Sequence, residues 1–188
     1  MTTLSGTPAS STPSADTLAR AAAVRLIAFD IDGVFTDGRI YYGAQGEMLK
    51  AFNTLDGHGV KQLARAGIEV AIITGRRSDI VAARAAELGI QRVHQGVPDK
   101  AQIMTALLAD TGVPLAAAAY MGDDWPDLAV LCRVGLAFAP ANAHRDVLAR
   151  VHHVTAARGG EGAVREACDL ILRARGGYDA LLAAACGG

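Results

Sequence analysis

Asp30 and Asp32 interrupt an apolar run in the segment FDIDGVFTDG, and two carboxylates at that spacing repel each other unless a cation or a proton lies between them. A hard divalent ion is the natural partner. Mg²⁺ takes oxygen ligands, keeps several waters and commonly uses one or two carboxylates together with a phosphate oxygen. Asp30, the backbone carbonyl of Asp32, and Asp123 from the later segment YMGDDWPD could supply that set. Two further polar residues stand at comparable places: Thr74 closes the apolar run of IEVAIITG, and Lys100 follows VPD at the expected start of a helix.

These residues need elements to hold them. From Val24 onward short apolar runs (VRLIAFDI, IEVAIITG, AAAAYMG, VGLAFA) alternate with longer amphipathic stretches. Runs apolar at nearly every position are buried on both faces, as parallel strands are in α/β proteins. Ser78 before DIVAARAAELG and Pro98-Asp99 before KAQIMTALLADTG read as helix starts, with Gly89 and Gly112 as the matching ends. The architecture expected is a three-layer α/β/α sandwich around a central parallel sheet, which places its ligands at the carboxyl ends of the strands. Asp30, Asp32, Thr74, Asp123 and Asp124 all fall at such ends. One stretch departs from this rhythm: GRIYYGAQGEMLKAF reads as a β-hairpin.

The opening MTTLSGTPASSTPSADT is rich in Ser, Thr and Pro and has neither a basic start nor an apolar core, so residues 1–17 are expected to be a flexible tail, not a secretory signal. Residues 18–176 are expected to form the domain, and 177–188 an Ala/Gly-rich tail. A hydrophobic share of 51% is ample for one core, while a net charge of -1 leaves no global basic field to draw nucleic acid or anionic membrane. No apolar run reaches the roughly 18–20 residues of a membrane span. Cys132, Cys168 and Cys186 are odd in number and show no CxxC spacing, which fits free thiols in a reducing, cytoplasmic setting.

DxDGxxTDG, a strand-end Thr, a Lys and GDDxxD, in that order over residues 24–155, resemble the four-motif pattern of the haloacid dehalogenase superfamily of phosphatases. The resemblance implies that Asp30 attacks phosphorus and that Asp32 protonates the leaving alkoxide and then deprotonates the attacking water. It also implies that Thr74 and Lys100 hold the phosphoryl oxygens and that Asp123 binds metal. A carboxylate nucleophile divides one difficult displacement into two easier ones. The acid role requires Asp32 to be protonated at the first step, in an environment that disfavours its charge relative to Asp30. Asp124 and Asp127 are expected to orient Lys100 or metal-bound water, or to be structural. The spacings leave no room for a large cap domain, so a small-molecule site would need a neighbouring subunit as its lid.

Within that superfamily the combination of DGVFTDG, the hairpin through FNTLDGHG, VAIITGR, QGVPDK, YMGDDWPDL and GGEGAVREACDLIL is similar to the 3-deoxy-D-manno-octulosonate 8-phosphate phosphatases. This implies a homotetramer with packed hairpins, Mg²⁺ as cofactor, and a small acidic sugar phosphate as substrate on the way to lipopolysaccharide. Substrate contacts are then expected from Asn53, Asp56, Gly57, Arg76, Lys61 and Arg84 as well as from Asp32 and Lys100; an Arg fork suits the acid's carboxylate. Lys61 and Glu161 depart from the arginines common in relatives. His58 and Trp125 stand near these segments without a clear chemical spacing. The alternatives are a nine-carbon acid 9-phosphate as substrate, a phosphomutase, and an oligomeric regulator without chemistry.

Overall fold

The structure, a computed structural model, describes residues 12–187. Its strands are β1 (Leu26–Phe29), β2 (Tyr41–Gly43), β3 (Gly46–Leu49), β4 (Glu69–Thr74), β5 (Arg92–Gln95), β6 (Ala118–Met121), β7 (Leu136–Ala139) and β8 (His153–Val154). Its helices are α1 (Ala15–Ala23), α2 (Thr54–Arg65), α3 (Asp79–Leu88), α4 (Lys100–Thr111), α5 (Leu128–Leu131), α6 (Arg145–Leu148), α7 (Ala163–Ala174) and α8 (Tyr178–Ala185).

Six strands form one parallel sheet in the order β5-β4-β1-β6-β7-β8. Side-chain alternation along each strand divides the core in two. Ile27 and Phe29 of β1 and Val70 and Ile72 of β4 pack under α1, α2, α3 and α7. Leu26 and Ala28, with Ala71 and Ile73, pack under α4, α5 and α6 on the other face. Both faces are therefore covered, which is why the strand sequences read as continuous apolar runs. Burying a side chain the size of Phe29 is worth about 1.5–3 kcal/mol, so these strands are the stable frame on which the polar ends are mounted.

The chain runs from β1 outward through β4 and β5, then returns to lay β6 on the other side of β1. That reversal makes the carboxyl ends of β1 and β6 the topological switch point, the usual ligand position in such sheets. Local signals set the helices as expected. Ser78 caps α3 and Asp99 caps α4, and Gly89 and Gly112 end them in the left-handed conformation that favours glycine. Between β1 and β4 lie only the antiparallel β2–β3 hairpin and α2, and between β4 and α4 only α3 and β5. No cap domain is present among the described residues.

Three features were not announced by the sequence. The tail expected through residue 17 falls largely on residues 1–11, outside the described residues, but its last part is helix. The Ser14 hydroxyl caps α1 by accepting from Thr17 N at 3.0 Å, and Thr17 is buried. Distant contacts hold this helix: Thr17 Oγ1 donates to the His152 carbonyl and Arg20 to the Gly135 carbonyl. The Ala/Gly-rich end is likewise helical over α8, where alanine's helix preference is supported by the Arg173 guanidinium 3.5 Å from the centre of the Tyr178 ring. Finally, β8 adds an edge strand only two residues long, too short for any periodic signal.

Candidate active site

Asp30 follows β1 directly, its N–H bonded to the Met121 carbonyl of β6 at 3.0 Å, so the sheet ladder itself sets its position. The chain then turns tightly, with the amides of Val34, Phe35 and Thr36 all donating to the Ile31 carbonyl. Gly33 sits in this turn at φ 88°, and a Cβ there would lie 2.1 Å from Asp123 Oδ2. Only glycine satisfies both demands. Asp123 is thus pressed against the turn that carries Asp30 and Asp32.

Lys100, the first residue of α4, is buried beneath this turn. Its Nζ lies 2.8 Å from Asp30 Oδ2 and 2.7 Å from Asp127 Oδ1. Burial opposes the Lys100 charge, but the Asp30 and Asp127 carboxylates outweigh it and hold the ammonium above its ordinary pKa. Asp127, fully buried, has both oxygens committed: Oδ1 also accepts from the Tyr120 hydroxyl at 2.7 Å, and Oδ2 from the amides of Asp123 and Asp124. It therefore fixes both the ammonium and the turn holding Asp123, as expected of a residue orienting Lys100.

Asp30, Asp123 and Asp127 each bring a carboxylate oxygen within 4.8 Å of the others. Asp30 Oδ1 is buried without a hydrogen-bond partner. Burial, then the Asp127 charge, raises Asp30 to a pKa of about 6 against the pull of Lys100. Burial, then Asp30, Asp127 and Asp124, raises Asp123 to about 7. An orphaned carboxylate oxygen beside a second carboxylate of raised pKa is a site one cation short, and its all-oxygen donor set suits Mg²⁺. Because Asp127 is already saturated, Asp30 and Asp123 are the side chains free to hold the ion. Thr74, nearly fully buried, ends β4, two residues beyond the Phe29–Ile72 pair, and so stands at the same sheet edge as Asp30.

Asp32 points out of the turn toward the hairpin. Its Oδ1 contacts Lys50 Nζ, and Arg76 Nε lies 3.6 Å from Oδ2. The acid role called for surroundings hostile to charge; two cations stand there instead. The sequence reading missed Lys50 altogether. Its side chain is only 1% exposed, with an ion pair to Glu47 at 2.9 Å as well, yet in the sequence it is one lysine in GEMLKAF. Nothing in that segment sets it apart from a surface lysine, the usual state of the residue. Tyr120, which the sequence shows only as part of the apolar run AAAAYMG, is a partner of Asp127.

The remaining expected substrate residues, Arg76 apart, form a separate group. Arg76 joins the first group, bonding the Tyr42 hydroxyl at 2.8 Å. Asn53 caps α2 through Leu55 N at 2.9 Å and reaches the Gly160 carbonyl at 3.4 Å. The Asp56 side chain is fully buried and accepts from Arg165 N at 2.8 Å, and burial raises it to about 6. Gly57, Lys61 and Arg84 line a depression of about 190 Å³ with Thr54, His58 and Glu87, and Arg84 is paired to Glu87 at 2.7 Å. Among the described residues no hydrogen bond or ion pair runs directly from this group to the Asp30 cluster. They are linked through a glycine loop, in which Gly160 N bonds the Val34 carbonyl and a Cβ on Gly159 would lie 1.8 Å from Gly33 O. Glu161 is exposed on that loop, and Trp125 is exposed with its Nε1 bonded to Asp146 and His144. Cys132, Cys168 and Cys186 are free thiols.

Comparison with known proteins supplies the family. A haloacid dehalogenase-like hydrolase family model matches residues 90–166. The 3-deoxy-D-manno-octulosonate 8-phosphate phosphatase of Yersinia pestis is 49% identical over 85% of this chain and 86% of its own length. The chain belongs to the 3-deoxy-D-manno-octulosonate 8-phosphate phosphatase family of the haloacid dehalogenase superfamily. The family fold extends over most of the chain. A probable phosphatase from Pseudomonas syringae superposes with a TM-score of 0.91 at 47% identity, covering 93% of this chain and 99% of that one. The Moraxella catarrhalis family member, solved with a magnesium ion, a phosphate ion and the sugar acid, gives 0.88 at 40% identity over 90% and 97%.

Proposed function

We propose that this protein is a Mg²⁺-dependent phosphoric monoester hydrolase that converts 3-deoxy-D-manno-octulosonate 8-phosphate to 3-deoxy-D-manno-octulosonate and phosphate, through an aspartyl-phosphate on Asp30. The observation that carries the reading is the cluster at the ends of β1 and β6, where Asp30 presents one oxygen to Lys100 and leaves the other without a partner. Family membership supplies the substrate class.

In this reading Asp30 is the nucleophile, oriented by Lys100. The phosphorus–oxygen bond to the sugar breaks as a bond to an Asp30 oxygen forms; with the anionic phosphate ester offsetting the Lys50 and Arg76 charges beside it, Asp32 gives its proton to the departing alkoxide and later takes one from the water that cleaves the acyl phosphate. Lys100 and Thr74 hold the equatorial phosphoryl oxygens, where charge stabilisation contributes most. Mg²⁺, held by Asp30, Asp123 and the Asp32 carbonyl, would neutralise the phosphate and relieve the repulsion among these carboxylates. Arg76 at the mouth, and Asn53, Gly57, Lys61 and Arg84 farther out, are assigned to the sugar hydroxyls and carboxylate; Asp56 serves by holding α2 against α7.

The hairpin exposes Tyr41, Tyr42, Met48 and Leu49 together, an apolar surface of the kind that marks an interface. We assign it to a homotetramer in which neighbouring subunits close the site. No helix among the described residues is long and apolar enough to cross a membrane. The product is placed on the route to lipopolysaccharide, in the cytoplasm.

Phosphate release from the eight-carbon 8-phosphate and a nine-carbon acid 9-phosphate, measured side by side with Mg²⁺, tests the assignment. The eight-carbon ester is expected to turn over faster by kcat/KM and Asp30→Asn to abolish both reactions. Preference for the nine-carbon ester would overturn the substrate, and full activity of Asp30→Asn the nucleophile.

A further inference from the structure

We propose that Lys50 is a positioning residue for the reaction: it holds the Asp32 carboxylate in the orientation from which a proton reaches the leaving oxygen, using Glu47 of the hairpin as its anchor. The inference rests on the acid/base role of Asp32 proposed above and goes beyond it by assigning how that side chain is held.

The geometry is specific. The Lys50 ammonium is almost wholly withdrawn from water and bridges two carboxylates, Asp32 Oδ1 and Glu47 Oε1. Arg76 Nε stands 3.6 Å from the other Asp32 oxygen, too far for a hydrogen bond, so Lys50 holds Oδ1 while Oδ2 is left open for the proton. Glu47 is itself held, accepting from the Ser78 hydroxyl that also caps α3. Among the described residues, every hydrogen bond from the hairpin strands and Lys50 to the rest of the protein ends at this mouth: Lys50 on Asp32, Tyr42 on Arg76, and Glu47 on Ser78.

A lysine buried only for stability would be an expensive choice, since a well-packed apolar side chain does that at least as well. What an ammonium adds is direction. Without it, Asp32 and Glu47 would confront each other as like charges, and Asp32 would rotate away. A general acid must come within about 2.6–3.2 Å of the atom it protonates, and a misplacement of about 1 Å costs on the order of 100-fold.

The leaving group separates this role from simple structural support. When the phosphorus–oxygen bond of a sugar ester breaks, the alkoxide needs the Asp32 proton. When p-nitrophenyl phosphate is cleaved, the phenolate departs without one. The kcat/KM for each ester reports the phosphoryl transfer to Asp30, so the ratio of the two isolates proton delivery. Asp32→Asn is expected to lower the sugar-ester value about 100-fold more than the aryl-ester value. Lys50→Met is expected to shift the ratio the same way by about 10- to 100-fold, and Lys50→Arg to recover most of it. Glu47→Gln, which leaves the Lys50–Asp32 contact in place, provides a milder variant should Lys50→Met fail to fold, with a smaller shift in the same direction. If Asp32→Asn shifts the ratio and the Lys50 and Glu47 variants do not, or if they lower both esters equally, the positioning role is refuted. If Asp32→Asn itself leaves the ratio unchanged, the acid role falls and the positioning role with it.

Discussion

Replacing Asp127 with asparagine is the most demanding test of the way the site is built. The carboxylate is fully buried and accepts four hydrogen bonds, two at Oδ1 from Lys100 and Tyr120 and two at Oδ2 from the amides of Asp123 and Asp124. An amide has one oxygen. Whichever way the asparagine is turned, its NH₂ faces two donors, and Lys100 loses one of its two counter-charges. Breaking one partner of a buried ion pair costs about 3–5 kcal/mol, because the remaining charge stays buried. For a chain of this length each kcal/mol shifts Tm by about 2–4 °C, so Asp127→Asn is expected to lower Tm by roughly 6–20 °C. The assay is thermal unfolding by circular dichroism in EDTA, with Asp110→Asn as a control. Asp110 pairs with Arg92 at 2.6 Å but at an exposed site, where such a pair is worth at most about 1 kcal/mol. A second readout is Mg²⁺ activation: orienting groups of this kind typically change metal affinity by about 10–100-fold. An Asp127→Asn protein that melted within about 2 °C of the parent and kept its Mg²⁺ requirement would refute the view that Asp127 organises the site.

Two further outcomes follow from the same structure. Asp30 and Asp123 have folded-state pKa values raised to about 6 and about 7, above the 3.8 of an unperturbed aspartate. The folded, metal-free protein therefore binds more protons than the unfolded chain across that interval, so its stability falls as pH rises from about 4 to about 7. Melting in EDTA should show this decline and added Mg²⁺ should reverse it at pH 7–8; a Tm that rose with pH in EDTA would contradict the burial argument. For the assembly, sizing by light scattering is expected to give a tetramer that Tyr42→Lys with Met48→Lys breaks into smaller species, and a monomeric parent protein would leave the site without its lid.

Much of this molecule could be read directly from its residues, because the relevant forces are local or periodic. Continuous apolar runs such as AIIT announced strands buried on both faces, and Ser78, Asp99, Gly89 and Gly112 announced helix ends, since capping depends on the few residues around it. The GRIYYGAQGEMLKAF hairpin was legible for the same reason. So was the placement of Asp30, Thr74 and Asp123 at one edge, because strand ends in such a sheet converge there.

Tertiary structure decided what depends on contacts between distant segments. The tail through residue 17 became the start of α1 because Thr17 and Arg20 find carbonyls more than a hundred residues away. Asp56 looked like a ligand and is a buried brace for α7, a distinction that rests on which side of α2 meets another helix. Lys50 looked like any surface lysine until the hairpin folded back and removed it from water. The sequence alone determined which carboxylates stand at the ends of the strands. Only the folded chain decided which cations face them, because long flexible side chains meet wherever the packing of the backbone brings their ends together.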